Sequence, residues 1–323
     1  MLHSVLSLGW TVVCPDYRVL PESNGFAVIE DVLAACHWVA ENPLECGRST
    51  FGGTTQQNPD IVFAGASAGG WCALVAALHF CTQPPDPGLQ APLRPKALLL
   101  LYPMLCLSSS RWCNPIFAAP EFMSEMTVQD QLASADQRIR GREISLGERF
   151  PTSEEEMRTR KRLPLLWAIL RSGRWLDYLT GVEEFAADVS SFGIEAATRE
   201  CGAQLPNGHD LKQLFPLEFA DFKKFSAAVP TIIVHGTHDH EIPISESETL
   251  VQKIKDTRIP SSNTGVVRLY SVEDAGHVFD LGIDAGDFHI NTSDMVRKGI
   301  RKEHISALKK ALRDIRIIVE RAL

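Results

Sequence analysis

The sequence predicts an α/β fold in which a mostly parallel sheet is flanked by helices. Short apolar runs alternate with longer amphipathic runs along much of the chain, which is typical of such folds. A Gly-x-Ser-x-Gly pattern lies at 65–69, between an apolar run and a run compatible with a helix. Between about 107 and 225 the pattern of buried strands stops, and this change indicates a helical insertion.

The elements can be predicted in chain order. Runs of four to seven mostly apolar residues without helical spacing predict strands at Trp10–Cys14, Ile61–Ala64, Lys96–Tyr102, Thr231–Val234 and Val266–Tyr270. Apolar residues that recur every three or four positions predict helices at Phe26–Glu41, Trp71–Phe80 and His304–Arg321. The strands and helices therefore alternate, which favours a parallel sheet with helical crossovers.

The candidate nucleophile is Ser67, in the segment Gly65-Ala66-Ser67-Ala68-Gly69-Gly70. A serine at a sharp strand-to-helix turn presents its Oγ above the sheet, and glycines around it allow the strand and helix to approach closely. We expect Gly65, Gly69 and Gly70 to be needed for that approach. The backbone N–H of Ala68 is expected to point to where a tetrahedral oxyanion would form.

A serine nucleophile requires a base and an acid that orients the base, and both occur downstream. Asp239 follows the strand at Thr231–Val234, and His277 follows the strand at Val266–Tyr270. Loops that follow parallel strands meet at the same edge of the sheet. The sequence therefore predicts a catalytic triad of Ser67, Asp239 and His277.

Two alternative interpretations of neighbouring residues are weaker. Glu273 and Asp274 could orient His277, but they lie on the same turn, whereas Asp239 comes from the neighbouring loop. The segment 235–240 contains three histidines and an aspartate, but its spacing is one residue out of register with a known binuclear metal motif. We expect no metal and, without a phosphate-binding glycine loop, no nucleotide cofactor.

The chain resembles the hormone-sensitive-lipase-like esterases of the α/β-hydrolase fold. The resemblance rests on Asp16-Tyr17-Arg18-Val19-Leu20-Pro21-Glu22, on Gly-Ala-Ser-Ala-Gly-Gly, and on the loops of Asp239 and His277. It implies ester hydrolysis through an acyl-enzyme without a cofactor. In this family the first segment is mainly structural, so we expect Asp16, Arg18 and Glu22 to form a buried polar network.

One part of the family pattern is not found in the sequence. Such enzymes carry an H-G-G-G segment upstream of the D-Y-R segment, where it supplies further oxyanion N–H groups. The fifteen residues before Asp16 do not contain it. We therefore expect N-terminal strands to be missing, with a gap in the sheet between Trp10–Cys14 and the strand before Ser67. A truncated chain or genuine loss of the segment would each explain this.

The predicted insertion occupies the place where this fold commonly carries a helical lid. The predicted catalytic domain comprises 1–106 and 226–323, and the lid comprises 107–225. Trp167, Trp175 and Tyr178 concentrate aromatic surface in the lid. They are candidate substrate-binding residues, although packing of the lid explains them equally well.

Composition limits the class of protein. A net charge of −8 argues against nucleic acid as a partner, and no apolar run approaches the length of a membrane span. The eight cysteines show no C-x-x-C spacing and several lie in apolar patterns, so we expect free thiols and a cytoplasmic location. The sequence leaves the oligomeric state open.

Two functions remain. The first is a serine carboxylic-ester hydrolase that acts on a small or medium apolar ester through an acyl-enzyme. The second is a non-catalytic or impaired protein that binds a small molecule on the same scaffold. The complete set of Ser67, Asp239 and His277 favours the enzyme, and the missing oxyanion segment favours the second function.

Overall fold

The computed structural model describes residues 5–6, 9–42, 60–82, 93–114, 125–147, 162–202, 205, 209–257, 266–281, 283 and 301–321. The chain forms two compact units. The first comprises Met1–Cys14, Leu33–Leu105 and Phe219–Leu323, and the second comprises Pro15–Val32 and Cys106–Glu218. The second unit thus takes most of the predicted insertion together with an N-terminal segment. Its assignment as a lid stays a prediction.

The described strands all belong to one parallel sheet in the first unit. They are β1 (Val62–Ala66), β2 (Ala97–Leu101), β3 (Thr231–Gly236) and β4 (Val267–Val272). The order across the sheet is β1-β2-β3-β4, and each strand pairs in parallel with the next. All four strands were predicted from the sequence to within two residues at each end.

The helices, in chain order, lie between and after the strands. They are α1 (Gly25–Glu41), α2 (Ala68–Thr82), α3 (Ser110–Cys113), α4 (Glu125–Arg140), α5 (Arg162–Ser172), α6 (Trp175–Thr180), α7 (Phe185–Phe192), α8 (Ile194–Gly202), α9 (Pro216–Phe219), α10 (Phe222–Ala228), α11 (Ile244–Thr257) and α12 (Lys302–Arg321). A 3₁₀ helix covers Leu211–Leu214.

The core of the first unit explains why β2 and β3 are apolar throughout. Every residue of β2 and β3 is buried, because helices cover both faces of the sheet. One face of the sheet packs against α12. Alternate strand residues form this face, among them Leu99, Leu101, Ile232 and Val234, and they pack with Leu308 and Ile315 of α12. Helix α2 packs on β1 and β2, α11 packs on β3 and β4, and α10 lies against both helices. The sheet is thereby a rigid base for the loops at its carboxyl edge.

The predicted strand at Trp10–Cys14 is wrong. These residues form no regular structure, and Val13 and Cys14 are exposed. The run has the composition of a strand, but a strand needs a neighbour that satisfies its backbone groups. Among the described residues, β1 pairs with β2 alone and no second neighbour accompanies it. The expected lack of pairing between 10–14 and β1 is observed, although a gap between two strands is not.

The second unit is helical, and the D-Y-R segment is part of it. Arg18 binds Asp31 through Nε and Nη2 at 2.9 and 2.8 Å. The Glu22 side chain is fully buried and receives hydrogen bonds from Arg138 and Arg162, each at 3.0 Å. Arg18 and Glu22 thus have the structural role that was predicted.

The polar network was predicted incorrectly at Asp16. Asp16 is exposed rather than buried. The two residues that do make ion pairs, Arg18 and Glu22, bind separate sets of partners in the second unit. The segment is therefore two local ion-pair clusters instead of one network.

The seven cysteines within the described residues are free thiols, as predicted. Burial raises the pKa of Cys36 and of Cys72 to about 12. Both thiols therefore stay protonated and behave as small apolar side chains. As a separate finding, none of the described helices is long and apolar enough to cross a membrane.

Candidate active site

Ser67 lies at a strained turn between β1 and α2. Its φ of 53° is in the left-handed region, which non-glycine residues rarely adopt. Hydrogen bonds to the end of β2 hold the turn: the Ser67 N–H donates to the Leu101 carbonyl, and the Ser67 carbonyl accepts from the Met104 N–H, both at 3.0 Å. Strain of this kind persists only where the surroundings impose it, and it is concentrated at functional sites.

Two of the three glycines around Ser67 are required by packing. A Cβ on Gly65 would lie 2.0 Å from the Gly69 carbonyl oxygen, and one on Gly70 would lie 2.5 Å from the Pro103 Cβ. A Cβ on Gly69 would meet nothing within 4 Å, so the prediction for this residue was wrong. The close approach is between the backbones of β1 and α2. Gly69 takes part through its carbonyl oxygen, and the approach does not require residue 69 to lack a side chain.

The structure brings Ser67, Asp239 and His277 together. His277 Nε2 lies 3.0 Å from Ser67 Oγ, and His277 Nδ1 lies 2.7 Å from Asp239 Oδ2. Ser67 follows β1, Asp239 follows β3 and His277 follows β4, so all three lie at the carboxyl edge of the sheet. The three residues thus form a continuous hydrogen-bonded line.

The loops after β3 and β4 are joined by backbone contacts. The Thr237 N–H donates to the Val272 carbonyl at 2.9 Å, and the His238 N–H donates to the Ala275 carbonyl at 3.0 Å. A Cβ on Gly236 would lie 2.2 Å from the Ala275 carbonyl oxygen. Only glycine allows this approach, which sets the distance between the Asp239 and His277 loops.

The Asp239 carboxylate is buried, and four donors from the described part of the chain face it. Its Oδ1 accepts from the N–H groups of Glu241 and Ile242, at 3.0 and 2.8 Å. Its Oδ2 faces His277 Nδ1 and, at 3.3 Å, His235 Nε2. Burial raises the pKa of Asp239, but the hydrogen bonds from His235, His277 and Ile242 outweigh burial and hold that pKa well below its usual range.

The ionised carboxylate determines which nitrogen of His277 carries the proton. A carboxylate can only accept hydrogen bonds, so His277 Nδ1 must donate to Asp239. In the neutral ring Nε2 is then the acceptor, and it faces the Ser67 hydroxyl. This tautomer is the one that a general base for Ser67 requires.

Asp274 and Glu273 take no comparable position. Asp274 is half exposed and pairs with Arg301 at 2.8 Å and with His238 at 3.5 Å. Glu273 is exposed. Among the described residues, the carboxylate that bonds to His277 is that of Asp239.

Tyr102 supports the His277 ring, and no motif in the sequence indicates this role. The centre of its ring lies 4.8 Å from that of His277 in an edge-on arrangement. Its hydroxyl donates to Asp280 in the loop after His277. Burial, with the nearby Asp280 charge, raises the pKa of Tyr102, so the hydroxyl keeps the proton that it donates. Tyr102 thus connects the end of β2 with the His277 loop.

Ala68 is the first residue of α2, as the oxyanion prediction requires. The first N–H groups of a helix have no acceptor within the helix and carry its partial positive charge. The Ala68 N–H, next to Ser67, is therefore suited to an oxyanion. Its contact with a substrate stays a prediction.

The predicted substrate-binding residues Trp167, Trp175 and Tyr178 all lie in the second unit. The buried Trp175 ring packs on Trp112 with 4.9 Å between ring centres. The buried Tyr178 hydroxyl donates to Asp136 at 3.2 Å. Trp167 is half-buried. Trp175 and Tyr178 thus have packing roles within their unit, and their role in substrate binding stays a prediction.

The histidines at 235–240 serve different purposes. His235 is buried against Asp239, whereas His238 is half exposed beside Asp274. No group of three or more His, Cys, Asp or Glu within the described ranges could hold a metal ion. The contact of His235 with the triad was missed, because sequence spacing alone does not show which side chain turns toward Asp239.

The N-terminal part of the chain matches a known protein family. Residues 2–139 match the model of a family described as alpha/beta hydrolase fold. The predicted α/β-hydrolase fold and the predicted family resemblance are thereby confirmed. An esterase of Thermogutta terrifontis is 15% identical with a TM-score of 0.42, covering 91% of this chain and 66% of the esterase.

Two curated relatives match most of the chain. Methylphloroacetophenone synthase of Cladonia uncialis is 27% identical over 87% of this chain and 10% of its own length. A non-reducing polyketide synthase (adrD) of Penicillium roqueforti is 26% identical over 87% of this chain and 10% of its own length. The chain therefore spans about a tenth of the length of these relatives.

Proposed function

We propose that this chain is a serine carboxylic-ester hydrolase. The proposal is supported by the α/β-hydrolase fold and by the resemblance of the chain to hormone-sensitive-lipase-like esterases. The single observation that carries the proposal is the hydrogen-bonded line from Ser67 through His277 to Asp239, with distances of 3.0 and 2.7 Å. Both distances are within the range that proton transfer requires. The acyl group of the substrate is transferred to Ser67 and then to water.

Each residue has a defined role in the proposed reaction. Ser67 Oγ attacks the ester carbonyl while His277 Nε2 takes its proton. The oxyanion of the tetrahedral intermediate accepts a hydrogen bond from the Ala68 N–H, and His277 then gives the proton to the leaving alcohol. Water then attacks the acyl-enzyme while His277 Nε2 takes a proton from it. His277 gives this proton to Ser67 Oγ as the carboxylic acid product leaves. Asp239 stays ionised and stabilises the imidazolium that forms in each step.

The substrate that we propose is a small or medium apolar ester. This proposal rests on the aromatic residues Trp167, Trp175 and Tyr178, which were predicted to contact it. Comparing p-nitrophenyl esters of increasing acyl length, in wild type and in Trp167→Ala, tests it. A KM that rises in the variant for long acyl groups alone supports the contact, and an unchanged KM contradicts it.

A polyketide acyl group is a second candidate. It is favoured by the similarity over 87% of this chain to two enzymes, one of them named a polyketide synthase. Butanoyl and 3-oxobutanoyl esters have the same chain length and differ by one carbonyl. A higher kcat/KM for the 3-oxobutanoyl ester supports the polyketide candidate, and a preference for butanoyl supports the apolar ester.

A fluorophosphonate probe tests the nucleophile directly. The probe should label the wild-type chain and fail to label Ser67→Ala, because the hydroxyl that forms the adduct is absent. The variant His277→Ala should reduce labelling and lower ester turnover by several orders of magnitude. Ser190→Ala, which changes an exposed serine of α7, is the matched control and should label normally.

The same experiment separates hydrolysis from the alternative, a non-catalytic or impaired protein that binds a small molecule. Turnover together with Ser67-dependent labelling supports the enzyme. Binding of an ester without labelling or turnover would support the alternative. Labelling without turnover would show an enzyme that is impaired after acylation.

We also propose that the reaction takes place in a reducing compartment such as the cytoplasm. The free thiols of Cys72 and Cys81, both in α2, support this proposal. Localising a fluorescently tagged chain tests it.

A further inference from the structure

The His235 side chain is fully buried at the end of β3 and has three polar neighbours. Its Nδ1 lies 2.7 Å from the Ser247 hydroxyl in α11. Its Nε2 lies 2.9 Å from the Ile242 carbonyl oxygen and 3.3 Å from Asp239 Oδ2. The imidazole therefore bridges the sheet, a helix and the acid of the proposed triad.

These neighbours determine the proton positions on His235. The Ile242 carbonyl and the ionised Asp239 can only accept, so Nε2 must carry a proton that both acceptors share. In the neutral ring Nδ1 is then an acceptor, and the Ser247 hydroxyl donates to it. Ser247 and Ile242 thus hold the ring with its Nε2–H directed to the Ile242 carbonyl and within 3.3 Å of Asp239 Oδ2.

We propose that His235 is a positioning residue that holds Asp239 in the orientation required by His277. This proposal rests on the proposed ester-hydrolase function, in which Asp239 orients the general base. His235 does not contact Ser67, so its effect on catalysis passes through the carboxylate.

Geometry explains why the carboxylate needs this second donor. The N–H groups of Glu241 and Ile242 hold Oδ1, while Oδ2 is shared by the two imidazoles. Without His235, the side chain left at Oδ2 among the described residues is that of His277, and His277 must itself stay aligned with Ser67. A donor fixed by β3 and α11 keeps Oδ2 in place independently of His277. Loss of this donor also leaves a buried charge short of a partner.

Two substitutions separate positioning from packing. His235→Leu fills much of the same volume with an apolar side chain and has no donor. His235→Gln has an amide N–H at nearly the reach of Nε2, but it packs less like a ring. If His235 only fills space, the His235→Leu variant should be at least as active as the His235→Gln variant. If His235 positions Asp239, the His235→Gln variant should be the more active of the two, even where it is the less stable.

The kinetic experiment uses p-nitrophenyl butyrate and the full chain. We expect His235→Leu to lower kcat by about 10- to 100-fold with KM changed by less than about twofold, because misplacement affects the chemical step. His235→Gln should recover most of kcat, and Ser247→Ala should fall between Leu and wild type. The unfolding midpoint of each variant verifies that it is folded during the assay. A kcat equal to wild type in His235→Leu, or a Gln variant as slow as Leu, would overturn the proposal.

A second measurement does not depend on turnover. The His277 Nδ1–H that donates to Asp239 should give a far-downfield proton resonance, assigned by its loss in Asp239→Asn. We expect the resonance to be present in wild type and His235→Gln, and shifted or broadened in His235→Leu. If wild type hydrolyses no ester, the proposed function fails, and this resonance still decides the role of His235. An unchanged resonance in His235→Leu contradicts positioning.

His304→Gln is the matched control. His304 is buried in the first unit, its ring packs on Phe279, and its Nε2 has no hydrogen-bond partner among the described residues. Its substitution should leave kcat and the downfield resonance as in wild type. If the His235→Leu variant does not fold, the comparison of His235→Gln with Ser247→Ala takes its place. A kcat and a downfield resonance equal to wild type in both of these variants would refute the proposal.

Discussion

At the scale of single residues, Asp239 differs from the acidic residues close to it in sequence. It is 6% exposed with four donors, whereas Asp274 lies at the surface beside Arg301. Burial alone would favour a protonated carboxyl, but the donors keep it charged. The charge is therefore available where the imidazolium would form.

We expect Asp239→Asn to reduce turnover by about 10⁴-fold, because an amide permits the wrong imidazole tautomer. Asp274→Asn removes the same charge from a neighbouring loop and should change turnover by less than about threefold, since exposed pairs contribute little. Steady-state kinetics on a p-nitrophenyl ester compare the two variants. A collapse in Asp274→Asn with Asp239→Asn near wild type would move the acid role to the His277 turn.

The sequence predicted the triad but not its supports. Ser67, Asp239 and His277 each follow a short, mostly apolar run that predicts a strand, so parallel topology alone brings them to one edge. The contacts of His235, near the end of β3, and of Tyr102, just after β2, depend on side-chain directions that sequence spacing does not determine. Asp16 and Gly69 were misinterpreted for a related reason: a motif shows which residue types recur, but it does not show which of them meet a neighbour.

At the scale of secondary structure, the success of a strand prediction depended on whether the apolar run has neighbouring elements. Strand predictions succeeded where a run has neighbours on both faces, as in β2 and β3. The prediction failed at 10–14, where the run has no strand partner among the described residues. Apolar composition is thus not sufficient for a strand, because the backbone must also be paired.

The turn between β1 and α2 offers a matched pair of glycine substitutions. Gly65→Ala should destabilise the fold and lower the soluble yield, because its Cβ would lie 2.0 Å from the Gly69 carbonyl oxygen. Gly69→Ala, in the first turn of α2, should raise the free energy of unfolding by about 0.4–1 kcal/mol, because alanine restricts the unfolded chain. Urea unfolding measures both. Equal stability of the two variants would show that the β1–α2 contact is not tight.

At the scale of the whole molecule, carboxylates in both units have lowered pKa values. Burial opposes the shift at Asp239, Asp314 and Glu22, but hydrogen bonds to their partners exceed it. At Asp31 the Arg18 hydrogen bond is the main cause. Each group binds a proton more readily in the unfolded chain than in the folded one, so acid favours unfolding.

We therefore expect stability that is fully present above about pH 5 and is lost as the pH falls through about 4 and below, where unfolded carboxyls take up protons. The thermal unfolding midpoint, measured from pH 7 to pH 3, should fall across this window. Asp314→Asn should be less stable at pH 7, since Arg268 and Tyr270 lose a charged acceptor and an amide oxygen accepts more weakly than a carboxylate, and should show a shallower fall in acid. A midpoint that is independent of pH would contradict the assigned ion pairs.

The spacing of the site along the chain has a consequence for the order of folding. Ser67 and His277 are 210 residues apart, whereas Asp239 and His277 are separated by 38. Contacts between distant residues form slowly, because the intervening chain must first be closed into a loop. The Asp239–His277 half can assemble within a short segment, but the nucleophile joins it only after β2 has paired with β3 and β1 with β2. In refolding from urea, helical circular dichroism should therefore return before fluorophosphonate reactivity does, and simultaneous recovery would show that the sheet closes in a single step.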